Sequence, residues 1–172
     1  MRLYRTRIPV IASKIASTLL SDHDIEVDRS RLEEVELDIR AILEEYLRTE
    51  SKVVEKTREL MEARGLPYGE FAKTKRGIAD QMKFVTGDDG LFWLAGQIIE
   101  SFLIGDHVEE VYAPDHVMRR KIMQVFRENL VDEAELDTEV RSKMKHLDEN
   151  TPEWKIEYNK VLKQVRQRRG LI

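Results

Sequence analysis

The chain has 172 residues, a net charge of −4 and a hydrophobic fraction of 41%, values typical of a folded, highly charged protein of one or two small domains. It contains no cysteine, which excludes disulfides, thiol catalysis and cysteine-ligated zinc. Because glutamate, lysine and arginine are abundant, we expect a cytoplasmic protein from a thermophilic source.

Two segments need to be weighed as targeting or membrane sequences. The first twenty residues combine early positive charge with apolar residues, but Lys14 interrupts the apolar run and no small-x-small cleavage site follows. The most apolar stretch, residues 91–104, is too short to span a bilayer and contains Gln97 and Glu100. We therefore expect no membrane partner.

Apolar residues recur at steps of three and four along nearly the whole chain, which is the spacing of amphipathic helices. One helical face, for example, contains Leu32, Val35, Ile39, Ile42 and Tyr46. The pattern predicts eight helices, near residues 6–20, 29–48, 50–64, 68–84, 90–104, 114–129, 133–147 and 152–169.

The sequence also predicts where several helices begin and end. Gly65 suits a helix C-terminus, because glycine readily adopts the left-handed conformation that ends a helix. Asp132 can cap a helix starting at 133, and Thr49 is predicted to cap one starting at 50. Thr151 followed by Pro152 predicts the start of the last helix.

The chain contains a repeat that indicates an internal duplication. Shifting residues 15–27 by 84 places them on 99–111 with seven of thirteen positions identical, and further identities follow at a shift of 83. A single repeat of this length indicates two copies of one domain-sized unit. Apolar positions matched between the copies are expected to be buried: Leu19, Leu103, Ile39, Ile122, Leu47, Leu130, Met61 and Met144.

The predicted fold is therefore all-α, with two tandem four-helix units. The units are residues 1–86 and 91–172, joined by a Gly-Asp-Asp-Gly linker at 87–90. The turns at 24–28 and 108–112 carry β-branched residues. They are either two extended loops or a small antiparallel ribbon across an internal twofold axis.

Several short stretches are typical of one protein family: residues 1–3 with 7–8, the Ile-Glu-Val of 25–27, the Pro-Glu-Trp of 152–154, Tyr158 and the closing residues 168–172. On these stretches the chain resembles the uncharacterised bacterial family called domain of unknown function 507. Residues 96–172 resemble one such unit, whereas the first half has only Pro67-Tyr68 at the equivalent place. The resemblance implies an all-helical bacterial protein and brings no established activity or catalytic residues.

The repeat also duplicates a group of polar residues with metal-binding chemistry. Asp22, His23 and Glu26 recur as Asp106, His107 and Glu110. Imidazole and carboxylate groups together suit zinc and related transition metals. An internal twofold axis through the two turns would bring all six side chains near one another. The alternative is that these residues only end helices, and we expect no resident cofactor.

Basic residues concentrate near the C-terminus. Residues 159–172 contain five bases and no acid. Together with Trp154 and Tyr158, such a helix could bind phosphates of a nucleic acid. The alternative is a solvated helix C-terminus, where cations interact favourably with the helix dipole. The candidate nucleic-acid-binding residues are Lys160, Lys163, Arg166, Arg168 and Arg169.

Catalytic signatures are scarce. No serine lies in a Gly-x-Ser-x-Gly turn, and residues 87–90 lack the lysine of a phosphate-binding loop.

The helix that begins at Phe92 and Trp93 is apolar almost all round, which predicts a central core helix with these aromatics inside. Its second face could also pack against another subunit. We expect a non-enzymatic binding or scaffold protein with a protein partner or self-association, and a nucleic-acid-associated protein is the alternative.

Overall fold

The computed structural model describes residues 1–144 and 148–172, which form two compact units. The large unit is Ile8–Glu128, and the small unit combines Met1–Arg7 with Asn129–Ile172. The described residues form the predicted all-α fold, with one minor two-stranded ribbon, which was one of the two alternatives for the turns. Its elements are α1 (Ile8–Ser21), β1 (Ile25–Glu26), α2 (Leu32–Arg64), α3 (Phe71–Gln81), α4 (Gly87–Ile104), β2 (Glu110–Val111), α5 (Asp115–Asn129), α6 (Glu133–Lys143) and α7 (Pro152–Arg168).

No helix in the described part of the chain is both long enough and apolar enough to cross a membrane. Predicted helix ends agree with the structure at Gly65, which has φ +60°, and at Asp132 and Thr151, whose side chains accept from backbone N–H groups of the following helix. The predicted end of one helix at residue 147 lies outside the described residues.

The prediction of separate helices at 29–48 and 50–64 was wrong, because α2 runs without a break through Thr49. The Thr49 hydroxyl bonds back to Glu45 at 3.5 Å, and Ser51 bonds to the carbonyl of Leu47 at 3.0 Å. Both hydroxyls therefore form hydrogen bonds within α2, and neither caps the start of a new helix. In the second half of the chain, α5 and α6 are separate helices, so the two copies that the repeat predicts differ in helix order there.

The unit boundaries also differ from the predicted linker. Residues 87–90 form the first turn of α4, where Asp88 and Asp89 interact favourably with the helix dipole. The small unit instead includes the N-terminus of the chain, because Arg2 and Val131 exchange backbone hydrogen bonds of 2.8 and 3.1 Å. The expected division into 1–86 and 91–172 therefore does not match the compact units.

The small unit packs α6 against α7 around an apolar cluster. Tyr4 belongs to this cluster and donates its hydroxyl to Glu133 at 2.6 Å, which places the N-terminal segment against α6. The buried residues of the cluster are Tyr4, Val131, Leu136, Val140, Val161, Val165 and Leu171.

The large unit buries one face of α1, α2, α4 and α5. The largest fully buried side chains in it are Ile8, Ile11, Ile15, Leu19, Ile39, Leu43, Leu94, Ile98, Ile99, Met118, Ile122 and Phe126. Helix α3 adds a smaller cluster in which Ile78 and Ala79 pack on Val53 of α2. Long amphipathic helices of this kind gain most of their stability from such packing.

The two predicted turns form the antiparallel ribbon, with Ile25 opposite Val111 and Glu26 opposite Glu110. Glu26 and Glu110 are also the residues that the sequence repeat aligns. An internal twofold axis between the two glutamates would produce this register.

The pattern of buried residues also repeats between the two halves of the large unit. Each of the six buried positions of α1 has a buried counterpart 83 residues later in α4. In the same way, Val35, Ile39 and Leu43 of α2 correspond to Met118, Ile122 and Phe126 of α5. These patterns support the duplication of helix, strand and helix in the large unit, although the duplication itself stays a hypothesis.

The predicted core is largely confirmed, with one clear error. Leu19, Ile39, Ile122, Leu130 and Met61 are buried, and Leu47 and Met144 are half-buried. Leu103 is 65% exposed, so its predicted burial was wrong. Phe102 is buried in its place, since the helical repeat is offset by 83 residues and not by 84.

Candidate functional site

Helix α4 carries apolar side chains outside the core. Trp93 is 46% exposed and Ile104 is 78% exposed. Phe92 is also exposed, with the Arg119 guanidinium 4.3 Å from the centre of its ring. The prediction that Phe92 and Trp93 lie in the core was therefore wrong. A helix that is apolar nearly all round has one face buried here and a second face open to solvent.

This open face borders a groove between α2 and α4, which we call the α2–α4 groove. It contains two adjoining cavities of about 400 and 410 Å³ that share Ala41 and Ile42. Trp93, Gln97, Ser101 and Ile104 contribute the α4 wall. The α2 wall consists of Asp38, Ala41, Ile42, Glu45, Tyr46 and Thr49. Both sets recur at steps of three and four, so each lines one side of its helix.

Three aromatic residues form one end of the groove. The Tyr46 ring centre lies 4.8 Å from that of Phe84 and 6.4 Å from that of Trp93. The Tyr46 hydroxyl donates to the backbone carbonyl of Val85 at 3.0 Å. Burial, with a smaller contribution from Glu50, raises the pKa of Tyr46 to about 12. The hydroxyl therefore stays protonated and anchors the segment after α3 to α2.

Gly90 makes this anchoring possible. A Cβ at position 90 would collide with the Tyr46 hydroxyl and would lie 2.6 Å from the carbonyl oxygen of Val85. The backbone of the first turn of α4 thus approaches Tyr46 as closely as only glycine permits.

We expect Gly90→Ala to lower the free energy of unfolding by about 1–3 kcal/mol, because the added methyl group overpacks against backbone. Gly77→Ala is the matched control, since Gly77 lies inside α3 with nothing within 4 Å of the added Cβ. It should raise stability by about 0.5–1 kcal/mol through helix propensity. Urea denaturation followed by circular dichroism measures both, and equal effects would contradict the close approach at Gly90.

The other end of the groove is polar. The His107 ring nitrogen Nδ1 lies 2.6 Å from Asp38 Oδ2, and both side chains are partly exposed. Asp106 and Gly105 complete this end beside Ile104. The groove thus passes from the exposed ring of Trp93 to carboxylates.

A third cavity, of about 630 Å³, adjoins the aromatic end. It shares Lys83 and Phe84 with the groove. Lys75 and Arg76 also line it, together with Asp80 and Asp89. We call it the α3 cavity, because most of its lining comes from α3 and the segment after it.

The first predicted metal-binding turn is occupied by other contacts. Asp22 Oδ2 lies 2.7 Å from the Lys121 ammonium, which also binds the buried Asp24 at 2.6 Å. His23 has φ +56° and ends α1, with its N–H donating to the carbonyl of Leu20 at 3.1 Å. Hydrogen bonds to Asp22 and Asp24 raise the pKa of Lys121. This turn therefore contains a carboxylate–ammonium cluster.

The second predicted turn has different partners. His107 faces Asp38 as described, and the backbone carbonyl of Asp106 accepts from Arg31. Glu110 lies opposite Glu26 in the ribbon, and Glu26 accepts the Tyr112 hydroxyl.

Within residues 1–144 and 148–172, no three histidine or carboxylate side chains lie close enough to hold a metal ion. All six predicted ligands are in this part of the chain. The structure therefore does not assemble them into a joint metal site, which was one of the two alternatives for these turns.

The predicted nucleic-acid-binding arginines face acids within the small unit. Arg168 and Arg169 both bind the Glu139 carboxylate of α6, and Arg166 lies 3.9 Å from Glu133. A hydrogen bond from Lys143, followed by contributions from Arg169, lowers the pKa of Glu139. These cations are thus partly neutralised by α6.

The lysines of α7 are freer. Lys160 is mostly exposed and lies 3.7 Å from Glu157, and Lys163 is exposed. The two aromatic residues earlier in α7 contact other residues of the small unit. Tyr158 stacks on Trp154 at 5.0 Å and donates to Asp137 at 2.6 Å. They are therefore poorly placed to stack on bases.

Sequence reasoning missed the α2–α4 groove. Tyr46 was assigned to an inward helical face, which is correct, and Trp93 was assigned to the core, which is not. A usable signal was the spacing of Trp93, Gln97, Ser101 and Ile104 on a helix whose apolar face is too wide for one partner. Phe84 has no such signal, since it lies in an irregular segment.

The structure therefore defines an all-α protein with a partly apolar groove on its large unit. Comparison with known families matches residues 1–171 to the family described as Protein of unknown function (DUF507), so the chain belongs to that family. No curated protein matches the chain.

Proposed function

We propose that this protein is a non-enzymatic binding protein that holds a partner protein in the α2–α4 groove. The observation that carries the proposal is that the large apolar side chains of Trp93 and Ile104 are exposed along a groove between α2 and α4. Exposed apolar patches rimmed by polar groups are typical of protein-binding surfaces.

The aromatic end suits a binding hot spot. Tyrosine and tryptophan are enriched among the residues that dominate binding energies. Trp93 is the exposed ring of this end and lies 6.4 Å from the buried, hydrogen-bonded ring of Tyr46, so less side-chain freedom is lost when a partner covers it. Covering about 100 Å² of this apolar surface would contribute about 2.5 kcal/mol.

A nucleic-acid-associated role through α7 is the second candidate. Exposed Lys160 and Lys163 favour it, whereas the pairing of Arg168 and Arg169 with Glu139 weakens it. Oligonucleotide binding that falls steeply with salt and is lost in a Lys160→Glu, Lys163→Glu variant would favour this role.

Photo-crosslinking tests the groove directly. A photoreactive phenylalanine analogue is placed at Ala41, which is exposed and lines both cavities of the groove. The matched control position is Ala63, which is exposed on the same helix but outside the groove. In lysate of the source organism, we expect a defined adduct from position 41 and none from position 63.

Competition makes the test specific. Excess unlabelled protein should suppress the adduct, and so should the Ala63→Arg variant. Ala41→Arg should fail to compete, because the long side chain fills the groove without removing any core residue. Equal adducts from both positions, or competition by Ala41→Arg, would count against the groove as the docking site.

A further inference from the structure

The α3 cavity and the α2–α4 groove form one continuous surface on the large unit. Lys83 and Phe84 line both the α3 cavity and the aromatic end of the groove. Ala41 and Ile42 then connect the aromatic end to the polar end. A single elongated ligand can therefore contact all three regions.

Charge is distributed unevenly along this surface. The α3 cavity has three cations, Lys75, Arg76 and Lys83, together with the carboxylates of Asp80 and Asp89. The far end of the groove has two carboxylates, Asp38 and Asp106, and one cation, Arg31, which donates to the Asp106 backbone carbonyl; His107 is counted as neutral. Between the two ends, Glu45 is paired with Arg48. The surface is thus net positive at one end, aromatic in the middle and net negative at the other.

From this charge order we propose that the partner segment is an amphipathic α-helix with acidic residues in its first turn and basic residues in its last turn. This inference rests on the proposed function. Acids near the N-terminus and bases near the C-terminus also favour the dipole of the bound helix itself. The same charges therefore stabilise the partner helix and complement the surface.

The charge order also sets the direction of the bound helix. Its N-terminus lies at the Lys83 end and its C-terminus at the Asp38 end. Because α4 runs from Trp93 at the aromatic end to Ile104 at the polar end, the bound helix is parallel to α4 and antiparallel to α2. The distance from residue 93 to residue 104 along α4 is about 16 Å at 1.5 Å per residue, which accommodates about three helical turns. Apolar residues at i, i+4 and i+7 of the partner would face Phe84, Trp93 and Ile42.

Two synthetic peptides test the proposal with the full chain. Both have the same composition, the same apolar positions and the same side-chain staple on the solvent face, so that their helicity is equal. The matched peptide has acids in its first turn and bases in its last, and the reversed peptide has these charges interchanged. By fluorescence anisotropy, we expect the matched peptide to bind at least about tenfold more tightly, a difference that shrinks at high salt.

A charge-swapped protein provides the second arm. Arg76 and Asp106 are exposed residues at opposite ends of the surface. The double variant Arg76→Glu, Asp106→Lys should reduce or invert the preference for the matched peptide. The control double variant, Glu55→Lys with Arg58→Glu, changes two exposed charges of α2 outside the groove and should leave the preference unchanged.

The outcomes separate this inference from the proposed function. If both peptides bind equally and Ala41→Arg abolishes both, the groove binds helices but the orientation proposal is overturned. Failure of both peptides, together with a position-41 adduct to a second copy of this chain, overturns the helix proposal and leaves a groove that mediates self-association. If neither peptide binds and no position-41 adduct forms, both proposals fail.

Discussion

Replacement of Leu19 by alanine is expected to lower the free energy of unfolding by about 2–5 kcal/mol, the usual range for a fully buried leucine. Leu19 is completely buried on the inner face of α1. Leu103→Ala is the matched control, because the sequence repeat aligns the two leucines although Leu103 is 65% exposed. Its effect should stay below about 0.5 kcal/mol.

The measurement is a urea melt in a Trp154→Phe background. Trp93 is then the single tryptophan and reports on the large unit, to which both leucines belong. Equal losses at the two positions would show that Leu103 is buried and that α4 is rotated about its axis relative to the described structure. A loss at neither position would place Leu19 outside the core.

Replacement of Lys121 by methionine is expected to lower the free energy of unfolding by about 3 kcal/mol, because it leaves a buried carboxylate without its counter-charge. The Lys121 ammonium lies 2.6 Å from the buried Asp24 and 2.7 Å from Asp22. The backbone carbonyl of Asp24 also accepts from the N–H of Tyr112 at 2.8 Å, so the loss should loosen the ribbon. Arg120→Met is the control, since Arg120 is the exposed neighbour.

The same contact has a pH signature. Hydrogen bonds to Asp22 and Asp24 raise the pKa of Lys121 in the folded protein above its unfolded value. Its contribution to stability is therefore complete below the unfolded pKa of about 10.4 and is lost as pH rises through the higher folded pKa. The stability difference between the wild type and Lys121→Met should shrink in that alkaline range. A constant difference would contradict the role of the ammonium charge.

The candidate site was predictable only in parts. The apolar face of α4 and the inward position of Tyr46 follow from helical spacing. The place of Phe84 does not, because it depends on how the segment after α3 returns to α2 and is fixed by the bond from Tyr46 to Val85. The repeated Asp-His turns show how a sequence pattern can suggest a site that the structure does not form. Repeated residue types predicted a shared site, but Asp22 pairs with Lys121 and His107 pairs with Asp38.

The sequence alone determined the helical class, the ends of helices at Gly65, Asp132 and Thr151, and the ribbon as one of two alternatives, since these depend on neighbours close in the chain. Tertiary structure decided the rest. It joined two predicted helices into α2 and placed residues 1–7 with α6 and α7. It also turned Leu103 outward, because one residue of register rotates a side chain by about 100° around a helix. The packing of the helices also decides which apolar face of α4 stays exposed. The groove can therefore be recognised only from the packed arrangement of α2, α3 and α4.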